Sequence, residues 1–319
     1  MNVALRIQRI TWLAPDVRDF ELRTLDGAAL PGWSAGAHLD LELPNGLVRP
    51  YSLLPCERRD TYRIAVKRAA DSTGGTRWLF TRGQVGVQLA VAGVRNGFPL
   101  DRGGLGPDPA PVVLLGGGIG VTPLLAMAAE LGAGPGIDWV LHYAVARPEQ
   151  AAFAEELAHH GARVRLHVDA EAGGPLPVAT IVGTAPPGTQ FYACGPNPML
   201  DAVIAAAAAA GHPPAAVHIE RFDPVAARAT GGGFTVVLAR TGRRLAIPAG
   251  STILGTLRRE GLSVLASCER GTCGTCETAV LDGVPDHRDG VLSPEEQEDG
   301  TAMMICCSGS LTPELVLDL

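Results

Sequence analysis

The chain has 319 residues, of which 46% are hydrophobic and 18% are charged, and its net charge is −7. This length accommodates two or three domains, and the acidic balance excludes the basic surface with which proteins bind nucleic acids or anionic membranes. The seven cysteines are an odd number, and four of them have the close spacing of a metal site. This pattern argues against a disulfide framework and indicates the reducing cytoplasm.

Neither a signal peptide nor a membrane span is expected. The first 20 residues include Arg6, Arg9 and Asp16, so they lack the apolar core of a signal peptide. An uncharged, largely apolar run at residues 109–129 contains four glycines and Pro123. A strand followed by a loop and a helix explains this run better than a membrane helix does.

Residues 1–103 are predicted to form a small antiparallel β-barrel. Short apolar or alternating runs are separated by turn residues such as Asp26-Gly27, which is typical of such barrels. The predicted strands cover residues 3–10, 17–25, 38–43, 48–54, 62–66 and 87–91, and a short helix covers residues 76–81.

Two short segments of this barrel have the chemistry to hold a flavin. A flavin needs an apolar or aromatic wall, hydrogen bonds to its ring, and cations or helix N-terminal amides at its phosphate. The candidate flavin ligands are Arg49, Tyr51, Ser52, Lys67 and the helix start at Gly75-Thr76. The alternative is an ordinary barrel in which Tyr51 packs in the core and Arg49 is solvated.

Residues 104–223 alternate apolar strands with helices, which predicts an open, doubly wound parallel sheet. The strands are predicted at residues 111–115, 138–143, 163–167, 190–193 and 217–220, and the helices at residues 123–131, 150–160 and 198–210. Thr122 and Asn197 each precede a proline, so both are predicted to be helix N-caps. Gly211 is predicted to end the last helix.

Two glycine-containing loops, residues 116–122 and residues 194–196, follow the carboxyl ends of predicted strands. Open α/β sheets bind ligands at these ends. Backbone N–H groups of such loops can bind a pyrophosphate, although the first loop does not match the dinucleotide fingerprint in register and is also compatible with a plain turn. Arg147 and Asp169 lie where they could contact an adenosine ribose. The alternative is that both are ordinary solvated charges. The candidate nucleotide ligands are Gly117, Gly118, Thr122, Arg147, Asp169, Cys194, Gly195 and Pro196.

Residues 224–233 contain a proline and three glycines and are predicted to be a linker. Residues 234–319 are predicted to form a β-grasp-like domain. Its strands are expected at residues 234–238, 244–247, 278–281, 303–306 and 314–317. Ser251 is predicted to cap a helix over residues 252–260, and Ser293 with Glu296 has the spacing of a capping box.

Four cysteines of this last domain have the spacing of a plant-type ferredoxin [2Fe–2S] site. Cys268, Cys273 and Cys276 form a C-x4-C-x2-C loop, and Cys306 follows after 29 further residues. Zinc sites usually pair their cysteines in two separate hooks, and plain structural thiols suit a glycine-rich loop poorly. The cluster is therefore the preferred interpretation over these two alternatives.

The cysteine loop also contains two glycines, Gly271 and Gly274, which permit the positive φ angles and close approach that wrapping a cluster requires. One ambiguity is the adjacent pair Cys306 and Cys307. Neighbours on a strand face opposite sides, so we expect one of the two to reach the cluster.

The order of barrel, α/β domain and ferredoxin domain, over essentially all of the chain, resembles the phthalate dioxygenase reductase family, which includes the reductase components of vanillate O-demethylases. The matching stretches are RPYS at 49–52, AVKR at 65–68 with GGT at 74–76, LGGGIGVTP at 115–123, YACGP at 192–196, HIERF at 218–222, the cysteine loop, and DHRD at 286–289.

The resemblance implies FMN rather than FAD in the barrel, NADH as the electron donor, and a [2Fe–2S] cluster. It implies three catalytic positions, with Ser52 at flavin N5, Cys194 at the nicotinamide pocket and Phe222 near the flavin ring. It also makes Cys306 the fourth cluster ligand, since family members share a C-x-S ending. Ala146 replaces the usual Ser or Cys before the arginine, and the absence of a serine–arginine pair favours NADH.

The function implied by the resemblance is the reductase component of a multicomponent oxygenase. Its partner would be a Rieske-type non-haem iron oxygenase bound transiently, and the chain would be a monomer. Alternatives are a reductase for a haem-thiolate monooxygenase or another one-electron acceptor, and, from a different class, an iron–sulfur carrier or sensor that does not oxidise NADH. The intact glycine loops argue against the last alternative.

Overall fold

The computed structural model describes residues 3–68, 74–101, 110–134, 136–222, 233–266 and 268–319. The chain divides into two compact units, Met1–Phe222 and Asp223–Leu319. The boundary predicted between residues 103 and 104, and residues 224–232 of the predicted linker, lie outside the described residues. In the part of the chain that is described, no helix is long and apolar enough to cross a membrane.

The first unit begins with six antiparallel strands that close into a barrel in the order β1-β2-β5-β4-β3-β6, which confirms the predicted barrel. These strands are β1 Val3–Ala14, β2 Val17–Thr24, β3 His38–Glu42, β4 Val48–Leu54, β5 Thr61–Lys67 and β6 Gln88–Arg95. Along β3 the side chains alternate, and Leu39 and Leu41 enter the barrel core. Helix α1, Gly75–Thr81, lies between β5 and β6 in the chain.

A five-stranded parallel sheet follows in the order β11-β10-β7-β8-β9. Its strands are β7 Val112–Gly117, β8 Trp139–Val145, β9 Val164–Val168, β10 Gln190–Cys194 and β11 Val217–Glu220. The helices are α2 Val121–Ala133, α3 Ala154–Ala158, α4 Asp169–Ala172, α5 Val178–Gly183 and α6 Asn197–Ala209.

Both faces of this sheet are covered, as a doubly wound fold requires. On β7, Val112 and Leu114 join a core with α2 and with barrel residues such as Leu54. Val113 and Leu115 point to the other face, where they pack with α5 and α6. A continuous apolar strand is therefore buried on both sides.

Several predicted helix ends in this unit are wrong. A 3₁₀ turn at Gly118–Gly120 leads directly into α2, so Thr122 lies inside the first turn and its hydroxyl donates to the Ile119 carbonyl at 2.9 Å. Asn197 is the first residue of α6 and not its cap, because its side-chain oxygen accepts a hydrogen bond from Arg221 at 2.9 Å.

The helix predicted over residues 150–160 is reduced to α3. It is flanked by 3₁₀ turns at Pro148–Gln150 and Gly161–Arg163, and the positive φ of 58° at Gly161 follows its end. The short helices α4 and α5 have no counterpart in the sequence prediction.

The second unit contains a five-stranded mixed sheet in the order β13-β12-β18-β14-β16, with a small two-stranded sheet beside it, as the β-grasp-like prediction requires. Its strands are β12 Phe234–Leu238, β13 Arg244–Ile247, β14 Glu277–Asp282, β15 Pro285–Asp286, β16 Ala302–Met304, β17 Gly309–Ser310 and β18 Glu314–Leu317. Its helices are α7 Ile253–Arg259 and α8 Pro294–Asp299.

The capping box on α8 is confirmed, since Ser293 and Glu296 bond each other's backbone N–H groups at 2.8 and 3.2 Å. The cap predicted at Ser251 is wrong, because Thr252 accepts from Gly255 N at 3.0 Å and caps α7. Thr252 has an extended backbone and stands one residue closer to the helix than Ser251, so its hydroxyl reaches a free N–H group of the first turn.

The strand predicted over residues 303–306 is also too long. It ends at Met304, and both Cys306 and Cys307 lie in the turn that follows β16. The expectation that they face opposite ways on a strand therefore fails, and both thiols are buried.

Candidate functional site

The predicted flavin residues lie on and around β4. The side chain of Arg49 passes over the start of α1, where a Cβ on Gly75 would lie 2.9 Å from Arg49 Cγ. A residue with a side chain at position 75 would displace the arginine. The preceding Gly74 has a φ of 113°, a conformation that favours glycine.

Tyr51 provides a test of whether a cofactor fits here. Its hydroxyl is buried and has no hydrogen-bond partner among the described residues. Burial raises the pKa of Tyr51, so the phenol stays neutral and can donate. Buried polar groups are normally satisfied, and a polar group of a bound flavin would satisfy this one. Ser52, next on the strand, is buried opposite His38 of β3.

A cavity of about 450 Å³ lies between the barrel and the carboxyl edge of the parallel sheet. That volume is in the range of small-molecule and cofactor sites. Five of the predicted residues line it, namely Lys67, Gly117, Gly118, Asp169 and Pro196. Lys67 of the barrel points its ammonium towards the glycine loop, and a Cβ on Gly118 would lie 4.0 Å from Lys67 Nζ.

The two glycine loops pack directly against each other. A Cβ on Gly117 would lie 2.6 Å from Pro196 Cδ, and one on Gly195 would lie 3.0 Å from Gly117 N. A Cβ on Gly120 would lie 2.3 Å from the Cys194 carbonyl oxygen. These approaches admit glycine alone, so the loops form one backbone surface beside the cavity.

Other predicted nucleotide residues lie off the wall of this cavity. Thr122 is buried and its hydroxyl is used within the loop, Cys194 is buried at the end of β10, and Arg147 is exposed beyond β8. Asp169, in contrast, is the first residue of α4 and faces the cavity, with its Oδ1 3.4 Å from His167 Nε2.

Glu220 is a residue of this edge that the sequence reasoning did not select. It ends β11 and is paired in register with Cys194. One carboxylate oxygen is buried and has no partner among the described residues, and burial raises the pKa of Glu220 to about 8. No local pattern singled out Glu220, because its burial is produced by segments distant in the chain. Phe222, two residues later, packs against the core shared by the barrel and the sheet.

Four of the five cysteines of the second unit meet in two pairs, and the fifth, Cys307, hydrogen-bonds Cys306. Hydrogen bonding with the Cys268 thiol raises the pKa of Cys273, and hydrogen bonding with the Cys306 thiol raises that of Cys276. Two pairs of sulfur ligands suit a binuclear iron cluster, in which each iron takes two cysteine thiolates. Cys273 is half-buried, whereas the other three are buried.

Backbone N–H groups point at these sulfurs. Cys268 Sγ accepts from Arg270 N and Thr272 N at 3.4 Å, and Cys273 Sγ accepts from Cys268 N at 3.4 Å. Such bonds stabilise thiolates and influence cluster potentials. Two residues of the loop have a left-handed backbone conformation that produces this geometry, with φ of 74° at Gly271 and 56° at Glu269.

Residues 236–309 match the family model for the 2Fe-2S iron-sulfur cluster binding domain. The whole chain is similar to phenoxybenzoate dioxygenase subunit beta of Ectopseudomonas oleovorans, with 49% identity over 320 residues that cover 99% of this chain and 97% of that protein.

Solved structures also match this chain over its full length, and two of them are informative. Phthalate dioxygenase reductase, described as a modular structure for electron transfer from pyridine nucleotides to [2Fe–2S], matches with a TM-score of 0.76 and 36% identity, covering 100% of this chain and 98% of that one. An intact type IV self-sufficient cytochrome P450 monooxygenase matches with a TM-score of 0.84 and 37% identity, and this chain spans 41% of its length.

Proposed function

This chain belongs to the phthalate dioxygenase reductase family of iron–sulfur flavoprotein reductases, and we propose that it is the NADH-dependent reductase component of a multicomponent oxygenase. The observation that carries this proposal is the presence, in one chain, of a nucleotide-sized cavity with glycine loops and a paired set of four cysteines. A flavin held by the barrel would supply the change from the two-electron chemistry of NADH to the one-electron chemistry of the cluster.

FMN is the flavin that the barrel suits. Arg49 supplies a cation beside the start of α1, which fits a single terminal phosphate, and Gly75 leaves room for it. Tyr51 offers a buried hydroxyl that lacks a protein partner. Ser52 is the hydrogen-bonding residue for flavin N5, and Phe222 is the aromatic near the ring.

NADH binds in the cavity at the carboxyl edge of the sheet. Lys67 and the backbone of Gly117, Gly118, Gly195 and Pro196 hold its pyrophosphate. Asp169 faces the ribose, where its carboxylate binds a 2′-hydroxyl and repels a 2′-phosphate. Cys194 and Thr122 shape the pocket from beneath, and Arg147 lies at its outer end.

The cluster is held by Cys268 and Cys273 on one iron and by Cys276 and Cys306 on the other. Cys273 is the least buried of the four, so its side of the cluster is the exit for electrons. We assign FMN mainly to residues 1–103, NADH mainly to residues 104–223 and the cluster to residues 234–319, with Lys67 of the barrel reaching NADH and Phe222 reaching the flavin.

The acceptor is a Rieske-type non-haem iron oxygenase that binds the substrate itself, and the reductase meets it transiently as a cytoplasmic monomer. A haem-thiolate monooxygenase is the second candidate, which the similarity to a self-sufficient cytochrome P450 favours.

The decisive experiment is anaerobic purification followed by titration with NADH. We expect bound flavin, about two irons and two acid-labile sulfides per chain, loss of the flavin absorption on adding NADH, and then reduction of the cluster. Reconstitution with a purified Rieske oxygenase and with a haem-thiolate monooxygenase compares the two acceptors. Colourless protein without flavin or sulfide would contradict the proposal.

A further inference from the structure

A buried carboxylate lies against the cysteine loop. Asp289 belongs to residues 286–292, here called the strap, which run beside the loop in the second unit. The Asp289 side chain is fully buried. It is part of the DHRD stretch, for which neither the fold nor the electron path described above has given a role.

Three hydrogen-bond donors point at the Asp289 carboxyl group. Its Oδ1 accepts from the Ser308 hydroxyl at 3.3 Å, and its Oδ2 accepts from Val291 N at 3.2 Å and Leu292 N at 2.9 Å. Backbone N–H groups can only donate, so the buried Asp289 carboxyl group is positioned as their acceptor.

This charge is close to the cluster ligands. Gly290 N donates to the Gly271 carbonyl at 2.9 Å, and a Cβ on Gly271 would lie 3.0 Å from Asp289 Cα. Gly271 stands between Cys268 and Cys273, and Ser308, which Asp289 binds, is two residues from Cys306 in the chain. The backbone of Asp289 and Gly290 thus lies against the cysteine loop, and the Asp289 carboxyl group contacts Ser308 on the segment that carries Cys306.

Among the described residues, neither basic side chain of the strap hydrogen-bonds the Asp289 carboxyl group. Arg288 turns to Asp286, with contacts from 2.9 to 3.1 Å. His287 Nδ1 lies 3.6 Å from Asp289 Oδ1, and neither ring nitrogen has a hydrogen-bond partner among the described residues. The hydrogen bonds to the Asp289 carboxyl group described here come from two backbone N–H groups and one hydroxyl.

We propose that Asp289 is a positioning residue that lowers the reduction potential of the cluster by presenting a buried negative charge to it. Reduction adds an electron to a centre that is already anionic, and an unscreened negative charge within several ångströms opposes that addition. The acids on α8 are exposed, so water and salt screen their effect. The inference rests on the proposed function in that the four cysteines carry a [2Fe–2S] cluster.

The test is a redox titration of the full-length holoprotein followed by EPR of the reduced cluster. Asp289→Asn keeps the volume and removes the charge, so the cluster should become easier to reduce by roughly tenfold in its one-electron equilibrium, which is about 59 mV. The flavin midpoint, measured in the same titration, should not move. The matched control Glu298→Gln removes one exposed charge and should leave both midpoints unchanged.

A second variant decides the matter if Asp289→Asn fails to assemble a cluster. Ser308→Ala keeps the carboxylate but removes one of its donors, so the negative charge is less compensated and the cluster midpoint should fall. A wild-type midpoint in Asp289→Asn, or in an assembled Ser308→Ala, overturns the proposal. Absence of iron and sulfide from the wild-type protein would instead overturn the proposed function.

Discussion

The cysteine centre and the nucleotide cavity are constructed in different ways. In the second unit four side chains provide the chemistry, and three of them stand within nine residues of one loop, Cys268 to Cys276. In the first unit much of the site is backbone, glycine and shape, assembled where the barrel meets the parallel sheet. The cysteine site depends on reactive side chains, so it tolerates little change in residue type. The nucleotide cavity depends on backbones that pack closely at glycines, so it tolerates little added side-chain volume.

The largest expected effect is the loss of electron transfer through the cysteine site while the nucleotide site keeps working. Cys273→Ser removes a thiolate ligand, so cytochrome c reduction at the expense of NADH should fall to background. Reduction of the flavin by NADH, followed by stopped-flow absorbance, should persist because it needs the first unit alone. The matched control is Cys56→Ser, a half-buried cysteine of the first unit, which should retain both activities. Loss of flavin reduction in Cys273→Ser would show that the two sites are not separable.

Adding a methyl group at Gly117, in the first glycine loop, tests the nucleotide cavity. Gly117→Ala places a Cβ 2.6 Å from Pro196 Cδ and separates the two loops. Overpacking of this kind costs about 1–3 kcal/mol, so the KM for NADH should rise roughly tenfold or more, while the cluster EPR signal stays unchanged. Gly183→Ala in α5, with no atom within 4 Å of the new Cβ, is the control. An unchanged KM in Gly117→Ala would remove this loop from the nucleotide site.

Asp169→Ala tests whether Asp169 makes the site prefer NADH over NADPH. Losing the carboxylate removes a contact to the 2′-hydroxyl and the repulsion of a 2′-phosphate, so the ratio of kcat/KM for NADH over NADPH should fall about tenfold. Steady-state kinetics with both nucleotides measures the ratio. The exposed Glu171→Gln, two residues away, should leave it as in the wild type. If Asp169→Ala keeps the wild-type ratio, discrimination resides elsewhere in the cavity.

The smallest effect concerns a single hydroxyl. Tyr51→Phe should weaken FMN binding by about 0.5–1.5 kcal/mol, a few-fold in Kd, because one hydrogen bond to the cofactor is lost. The apoprotein should not lose stability, since this hydroxyl has no protein partner among the described residues.

The matched control for that change is Tyr62→Phe, whose hydroxyl donates to the Pro31 carbonyl at 2.8 Å. It should lower the apoprotein's melting temperature and leave FMN affinity intact. Flavin fluorescence during titration gives the affinity, and thermal unfolding gives the stability. A destabilised Tyr51→Phe apoprotein would indicate that the hydroxyl serves the barrel and not the cofactor.

Local patterns were the part of the fold that could be predicted. The strands β12, β13 and β18 match the predicted residues end to end, because alternation and turn glycines such as Gly242 act within a few positions. The cysteine spacing likewise predicts its site, since metal-ligand chemistry restricts the residue type at each position.

Predictions failed where neighbours compete for the same backbone groups. The caps expected at Thr122, Asn197 and Ser251 were displaced by a 3₁₀ turn, by Arg221 and by Thr252. Glu220 and Asp289 could not be chosen either, because each owes its interest to burial produced by segments distant in the chain.

The sequence by itself therefore determined the order of the three folds, which follows from short-range periodicity. The cysteine spacing predicts three sulfur ligands in one loop, and the family resemblance selects Cys306 over Cys307 as the proposed fourth. The tertiary structure decided which groups meet: Gly117 with Gly195, Lys67 with the glycine loop, Asp289 with Gly271 and Ser308. Contacts of this kind depend on the packing of whole sheets and turns, and no local pattern encodes them.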